Sequence, residues 1–501
     1  MKIKKIFSVV LLRQSFLVLL AFMVFLPLLF LNLRNDHDWG DDFAQYLEQA
    51  ENISLGKPMT QTGYIYNPEY SSLGPRAYPP GFPLMIAPIV AKYGNFVVPY
   101  NYLTSILLIL TALLAVLLIY KYSGWPAAIL LSALIYYNPY VIQLKAEIMA
   151  DIPFALFFAI FLLCISRAEV LKKQNWIFAG LVAGAAITTK TIGLVLPLSL
   201  IIYAMQRIII DRYNKISIKE TLPAVKGHFY AALLSMGIYF ISHIIFMRGA
   251  VGGGYLNIFD FGKTSEAIAN NIYVYSEAIR LFFINPDSPL FWIGFPLASL
   301  FFAFFITGLV LSFSKIPALI DWITVIYIGL LMVYPYHNAG FRFLLPLAPV
   351  IMIYSLKTLQ LLATSKSIQW ITSGVSILIL ITYLQVMPGY FSSEDKFEDG
   401  PYATHVEDAF AEIASVTSEE SRIVFIKPRA LARFSGRKAM SHHPLSSSFE
   451  IYNELNPLDP THYLVYSGLP DPALEHYLKT NQHSTRMIWR DEFFSLYQKI
   501  N

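Results

Sequence analysis

Residues 15–33, "SFLVLLAFMVFLPLLFLNL", run nineteen positions without one charged side chain. An apolar helix of about 20 residues matches the hydrocarbon core of a bilayer, and runs of this kind recur along the chain. Hydrophobic residues make up 56% of the sequence and charged residues 14%, where a soluble domain carries about a quarter charged. The runs are continuous rather than alternating, which points to helices and away from a barrel. The expected spans are roughly 12–33, 97–120, 125–140, 152–167, 176–189, 191–207, 228–247, 290–312, 318–336, 341–357 and 369–387, about eleven crossings. The first follows "MKIKKIF" and lacks a small-residue cleavage site, so it is expected to stay as an uncleaved helix. Cys164 is the one cysteine and lies within an apolar run, which leaves no intrachain disulfide.

The net charge of +4 is small, and the basic residues gather in short loops. That pattern concerns topology rather than nucleic acid, for which no binding is expected. With a cytoplasmic N-terminus, the inner loops hold Lys2, Lys4, Lys5, Lys121, Arg167, Lys172, Lys173, Arg207, Arg212, Lys215, Lys219, Lys226, Lys315, Lys357 and Lys366. The loops 34–96, 141–151 and 248–289, the turn at Lys190, the turn 337–341 and everything after Met387 then lie outside. The expected domains are a polytopic all-α membrane domain, 1–387, and a small outer α/β domain, 388–501. In the latter, "SRIVFIKP", "THYLVYSG" and "EFFSLYQKI" read as strands, and "VEDAFAEIASV" and "LEHYLKT" as helices. No internal repeat stands out, which weakens the case for a repeat-built transporter.

Polar groups then concentrate at the outer face. "HDWGDDFAQYLEQA" carries Asp36, Asp38, Asp41 and Asp42 just beyond the first span. Asp42 can cap a helix reaching Leu55, with Gln45 at the capping-box position and Gly56 as its stop. One capping side chain suffices for a helix start, so a catalytic or ligand role for Asp41 or Asp42 stands beside that reading. Glu147 and Asp151 are spaced i,i+4, as on one helical face, or as a solvated helix start. Lys190 lies between two short spans, where a lone ammonium is expensive without an anionic partner. His337 and Arg342 stand at the mouth of another span. Lys190 and Arg342 also suit snorkelling to headgroups, and His337 suits a plain interfacial position. Arg76 opens a Pro-rich amphipathic run, 74–90, fit to lie along the interface. Cations that hold a phosphate, with a carboxylate above them to take a proton, suit a lipid-phosphate substrate offered from the bilayer.

In order along the chain, "DDFAQYLEQAENISLGKP", "YPPGFPLMIAP", "AEIMADIPFALFF", "GLVAGAAITTKTIGLVLPL" and "FRFLLPLAPV" resemble the GT-C glycosyltransferases. The look is of bacterial members of the protein-mannosyltransferase and aminoarabinose-transferase type. The resemblance implies an inverting transfer of a sugar from a polyprenyl-phosphate donor to an acceptor hydroxyl or phosphate on a glycolipid, protein or polysaccharide. It implies a cell (inner) membrane location and contact with membrane lipids. The family's acidic pair in the first outer loop maps onto Asp41 and Asp42, either of which fits the base. Its lysine and arginine near the lipid phosphate map onto Lys190 and Arg342. Some members bind a divalent metal and others need none. No tight His/Asp/Glu ligand spacing stands out here, so no metal ligand is assigned and the cofactor is left open. The competing classes are a flippase of lipid-linked sugars and a polysaccharide polymerase or ligase.

Overall fold

The structure is a computed structural model that describes residues 15–166, 173–248, 264–283, 291–335, 340–390 and 397–500. It divides into two compact units. The first gathers Met1–Leu33, Asn101–Ile241 and Phe261–Ser393, and the second Arg34–Tyr100, Ser242–Asp260 and Glu394–Asn501. The loop 34–96, grouped with the membrane spans on sequence, thus packs with the C-terminal tail.

The first unit is helical. Among the described residues, six helices are long and apolar enough to cross a membrane: Val98–Ser123, Thr191–Tyr213, Ile218–Phe246, Gly294–Phe313, Gly340–Leu362 and Ser365–Leu384. Each of the other expected spans also coincides with an apolar helix. Ser15–Leu29, Asp151–Ser166, Asn175–Thr189 and Leu319–Val333 are shorter, and Trp125–Tyr136 continues into Pro139–Ala146 across a 58° bend. The chain is a multi-pass membrane protein. The bend corrects the expected span 125–140 with an outer turn from 141, and its cause is local. Proline at 139 cannot donate to the preceding turn and pushes its neighbour out of the helical region. Asn138 then caps the new helix, accepting from the Tyr140 amide at 3.0 Å. Its own amide group donates to Leu281 O at 2.6 Å and Tyr383 Oη at 3.0 Å, which satisfies a buried polar group inside the bundle.

A second break, after Ala146, separates Glu147 from Asp151. Glu147 ends the Pro139–Ala146 helix in an extended conformation, and Asp151 begins the next helix. The expected single helical face does not form.

The second unit is built on a five-stranded sheet of order β2-β1-β3-β5-β4. The strands are β1 Arg422–Val424, β2 Lys438–Met440, β3 His462–Tyr466, β4 Thr485–Arg490 and β5 Phe494–Lys499. β2, β1 and β3 are parallel, whereas β5 pairs antiparallel with β3 and β4. Each parallel connection carries a short helix, as parallel pairing requires. Helices Thr404–Val416 and Pro428–Ser435 cover one face through Phe410, Ile413 and Leu431. Ser448–Leu455 and Pro472–Thr480 cover the other through Ile451, Leu474 and Leu478.

The loop 34–96 is woven into this unit. Ala439 of β2 donates to Gly63 O at 3.0 Å and accepts from the Ile65 amide at 2.8 Å, so the loop extends the sheet edge. Trp39 stands edge-on or tilted to Phe410, Phe425 and Tyr466, about one ring-contact distance from each, inside the tail's core.

Candidate functional site

The acid-rich stretch is pinned from several directions. Asp36 accepts from the Phe397 amide at 2.7 Å, and Asp38 accepts from the Gly40 amide at 2.8 Å beside His37. Asp36 thus ties the stretch to the tail, and Asp38 fixes a local turn. Asp41 is different. Its φ of 57° and ψ of −40°, with the Asp42 amide bonded to Gly40 O at 2.6 Å, make a γ-turn of the rarer, strained hand. Such strain persists only where its surroundings enforce it, and it clusters at functional sites.

The turn aims the Asp41 side chain away from its own helix. Its Oδ1 accepts from the amides of Arg429 and Ala430, at 3.1 and 3.0 Å, at the start of the Pro428–Ser435 helix. Its Oδ2 is buried and takes no hydrogen bond among the described residues. Burial pushes the Asp41 carboxyl above the usual range and outweighs the opposing pull of Arg429, Lys427 and the Ala430 amide.

The helix that follows is Asp42–Ser54. Its stop is as expected: Gly56, φ 68°, donates to Ile53 O, and Lys57 donates to Asn52 O, the paired bonds of a Schellman end. Its start corrects the sequence reading. Asp42 is the first helical residue, not the cap, and no side chain caps this helix. Gln45 donates instead to Arg76 O at 2.7 Å. The Asp42 carboxylate accepts from Tyr78 Oη at 2.5 Å and from Arg429 Nη1 at 2.7 Å.

Arg429 was not foreseen. Its side chain is fully buried, donates to Pro75 O at 3.2 Å, and lies over the rings of Tyr64 and Tyr78 at 4.8 and 5.2 Å. Gly74 is shaped for it: at φ 125°, a Cβ there would fall 2.6 Å from Arg429 Nη2. One turn further along, Arg433 pairs with Glu48 at 2.7 Å, pairs with Glu51, and donates to Asn95 Oδ1 at 2.8 Å. The signal in the sequence was "KPRALARFSG", a proline at the first helical turn with two arginines four apart.

In the helical unit, three expected residues from distant segments do meet. The Asn175–Thr189 helix stops at Lys190, which is extended (φ −151°, ψ 129°) before a short 3₁₀ turn, Thr191–Leu194. Lys190 there makes a short ion pair with buried Asp151. Arg342, in the short helix Gly340–Leu344, donates to Met149 Sδ at 3.0 Å. Both cations lie over the Phe343 ring, Lys190 Nζ at 4.4 Å and Arg342 at 5.6 Å. Arg76 joins neither cluster: its side chain is exposed, and its carbonyl is the part in use. His337 lies outside the described residues, as do Lys2, Lys4, Lys5, Arg167 and Lys172.

Residues 78–246 match the family model described as "Dolichyl-phosphate-mannose-protein mannosyltransferase". Among solved structures, the chain is similar to the oligosaccharyltransferase AglB of Archaeoglobus fulgidus in complex with an inhibitory peptide and a dolichol-phosphate. Identity is 12% and the TM-score 0.53, over 90% of this chain and 69% of that one. The A. fulgidus oligosaccharyltransferase in complex with Zn and sulfate gives the same identity and TM-score, over 90% and 68%. ArnT from Cupriavidus metallidurans bound to undecaprenyl phosphate gives 14% identity and a TM-score of 0.43, over 96% and 97%. A comparison with curated protein sequences gives no match. Over residues 78–246 the chain carries the pattern of a glycosyltransferase family, and its fold is similar to that of solved oligosaccharyltransferases. The family pattern it carries, over about a third of its length, is that of the mannosyltransferases described above.

Proposed function

We propose that the protein transfers a sugar from a polyprenyl-phosphate donor to an acceptor hydroxyl or phosphate, with inversion, on the outer face of the cell membrane. The observation that carries this is the match over residues 78–246, a family described by a lipid-phosphate mannose donor, which spans Tyr78, Asp151 and Lys190. The dolichol-phosphate held by the A. fulgidus relative fits the same donor class. The positive-inside pattern supports the sidedness: Lys121, Arg207, Arg212, Lys215, Lys219, Lys226, Lys315, Lys357 and Lys366 lie in the connections expected inside or in the helix ends beside them, while the sheet-bearing tail, expected as a separate outer domain from 388, is assigned to the other side.

In this reading Lys190 and Arg342 hold the donor phosphate and offset the charge that grows as it leaves. The phosphate is already a good leaving group, so a single carboxylate suffices. Asp41 takes the proton of the acceptor hydroxyl as its oxygen attacks the anomeric carbon, a contribution of about 10²–10⁴-fold. Asp42 is engaged by Arg429 and Tyr78, which favours Asp41 of the two. The zinc of the relative's complex does not fit this acid pair. Asp41 and Asp42 face the fixed guanidinium of Arg429, Nη1 at 2.7 Å from Asp42 and Nε at 3.9 Å from Asp41, and a divalent ion there would meet a like charge. Glu147, Arg76 and His337 are assigned to the outer face near the donor. The acceptor is a glycolipid, a protein or a polysaccharide.

The test is transfer by the purified protein in detergent, from a radiolabelled polyprenyl-phosphate mannose to a membrane extract of a strain lacking the protein. Labelled product whose anomeric configuration is opposite to the donor's is expected. Intact donor after prolonged incubation, across several polyprenyl-phosphate sugars, would overturn the reading.

A further inference from the structure

The proposal drawn here rests on Asp41 as the base. Both acids of the first outer loop are held by the start of one helix of the tail, and Arg429 contacts both. The main chain of Arg429 and its neighbour Ala430 hold Asp41 Oδ1 at 3.1 and 3.0 Å. The Arg429 guanidinium holds Asp42 Oδ1 at 2.7 Å. The loop in turn builds a closed seat for that guanidinium: Pro75 O, the Tyr64 and Tyr78 rings, and Gly74 where a side chain would collide. What is left over is one acid oxygen, Asp41 Oδ2, and one guanidinium nitrogen, Arg429 Nε. They lie 3.9 Å apart, both buried and without a hydrogen bond among the described residues.

We propose that Arg429 is a positioning residue for Asp41, fixing by its main chain and its side chain which carboxylate oxygen is left to take the proton. The tail is then part of the catalytic assembly rather than an appended domain. A fully buried arginine is suited to this, since it stays charged and has a planar fork that sets direction as well as charge. Arg433 ties the same helix to Glu48 and Glu51, four positions on, without touching either acid.

The arrangement has an electrostatic consequence whose sign differs from that of simple docking. The charged and titratable groups facing Asp41 are Arg429 and Lys427 from the tail, Asp42 from the helix that follows, and Tyr64 and Tyr70 from the loop. Arg429 favours the ionised carboxyl, and Asp42 disfavours it.

The experiment measures kcat/KM against pH for the full-length protein in detergent, with polyprenyl-phosphate mannose as donor and the membrane extract as acceptor. Asp41 protonation is followed in parallel by the infrared carboxyl band that Asp41→Asn removes. Arg429→Gln moves the acid limb, and the band, up by about one pH unit or more, with donor KM unchanged. Asp42→Asn moves both down. Arg429→Lys, which keeps the charge and loses the fork, restores the limb but not the full rate. Arg433→Gln leaves the limb in place. Should Arg429→Gln fail to fold, the downward shift in Asp42→Asn carries the decision. Shifts of the same sign in Arg429→Gln and Asp42→Asn, no shift in either, or an equal shift in Arg433→Gln would overturn the proposal. Wild-type protein with opposite band shifts but no transfer would overturn the function above and leave the placement of the acid standing.

Discussion

Lys190 and Arg429 each draw together segments far apart in the chain, but they do so in opposite ways. The Lys190 side chain is 21% exposed and pairs with the carboxylate of Asp151, which is 6% exposed. The Arg429 side chain is 0% exposed and has two acids, two rings and a carbonyl around it. A cation that keeps part of its surface open can exchange partners when an anionic ligand arrives. A cation closed in on every side cannot, and its charge acts as a fixed part of the frame. The first pattern suits ligand binding, and the second suits holding a reacting group in place.

The largest effect falls on the acid that Arg429 places. Asp41→Asn keeps an oxygen for the amides of Arg429 and Ala430, so the Pro428–Ser435 helix retains its cap, but the side chain can no longer accept a proton at reaction pH. Transfer by purified protein should fall about 10²-fold or more, with expression and donor affinity little changed. Near-normal turnover would sink the base assignment and with it the functional half of the comparison.

The next effect tests the open cation. Lys190→Ala or Arg342→Ala should weaken donor binding by about 10–100-fold, the loss of a charge-assisted contact of roughly 1.5–3 kcal/mol. Asp151→Asn sharpens this. It leaves the Lys190 ammonium in place and removes its competitor, so donor binding, read by displacement of a labelled polyprenyl phosphate, should hold or tighten. If Asp151→Asn weakened binding as much as Lys190→Ala, Lys190 would be a structural partner like Arg429, and the contrast between the two would fail.

The two clusters also differ in how far the sequence reveals them. The apolar spans are legible because span length depends on composition alone, with no tertiary information needed. Lys190, Asp151 and Arg342 are legible for the same reason: a charge in an apolar run is conspicuous wherever it goes. Arg429 lies 388 positions from Asp41 and looks like any surface arginine of a small α/β domain. Only the folded partner makes it buried. Asp42 was read as a cap because local sequence offers that use, and a contact with the tail took its carboxylate instead. The face shared by Glu147 and Asp151 assumes an unbroken helix, which the end of the Pro139–Ala146 helix at an extended Glu147 rules out. β2 is three residues long, too short for an alternating pattern, and β4 carries Arg486 and Arg490 on a sheet edge, where charge masks strand character. β1, β3 and β5, and helices Thr404–Val416 and Pro472–Thr480, fall where the sequence put them.

The smallest effect concerns a third buried ion pair, His442–Asp471, which differs from Arg429–Asp42 in that its cation can lose its charge. His442 Nε2 is 2.8 Å from Asp471 Oδ2, and Nδ1 is 2.8 Å from His443 O. Carboxylate and carbonyl oxygens only accept, so both contacts are hydrogen bonds only when both ring nitrogens carry protons, and together they favour the charged imidazole. Burial pulls the His442 pKa down, but the bond and charge of Asp471, the His443 carbonyl and Glu454 together raise it above its ordinary value. A raised folded pKa fixes the sign. The stabilisation is fully present below the unfolded value, about 6.5, and is lost as pH rises from there through the folded value. Asp471 also caps the Pro472–Thr480 helix, accepting from the Leu474 amide at 3.1 Å, so the loss should loosen that end of the sheet-bearing unit. Its unfolding temperature should therefore decline as pH rises from 6.5, by about 2–4 °C for each kcal/mol lost. Amide exchange at residues 441–443, 445, 446, 473 and 474 should quicken beyond the intrinsic rise with pH. His442→Gln should start lower and show a flatter pH dependence. An unfolding temperature independent of pH in the wild type, or an unchanged slope in the variant, would mean that His442 contributes no charge of its own. The contrast between fixed and titratable pairs would then have to be drawn elsewhere in the tail.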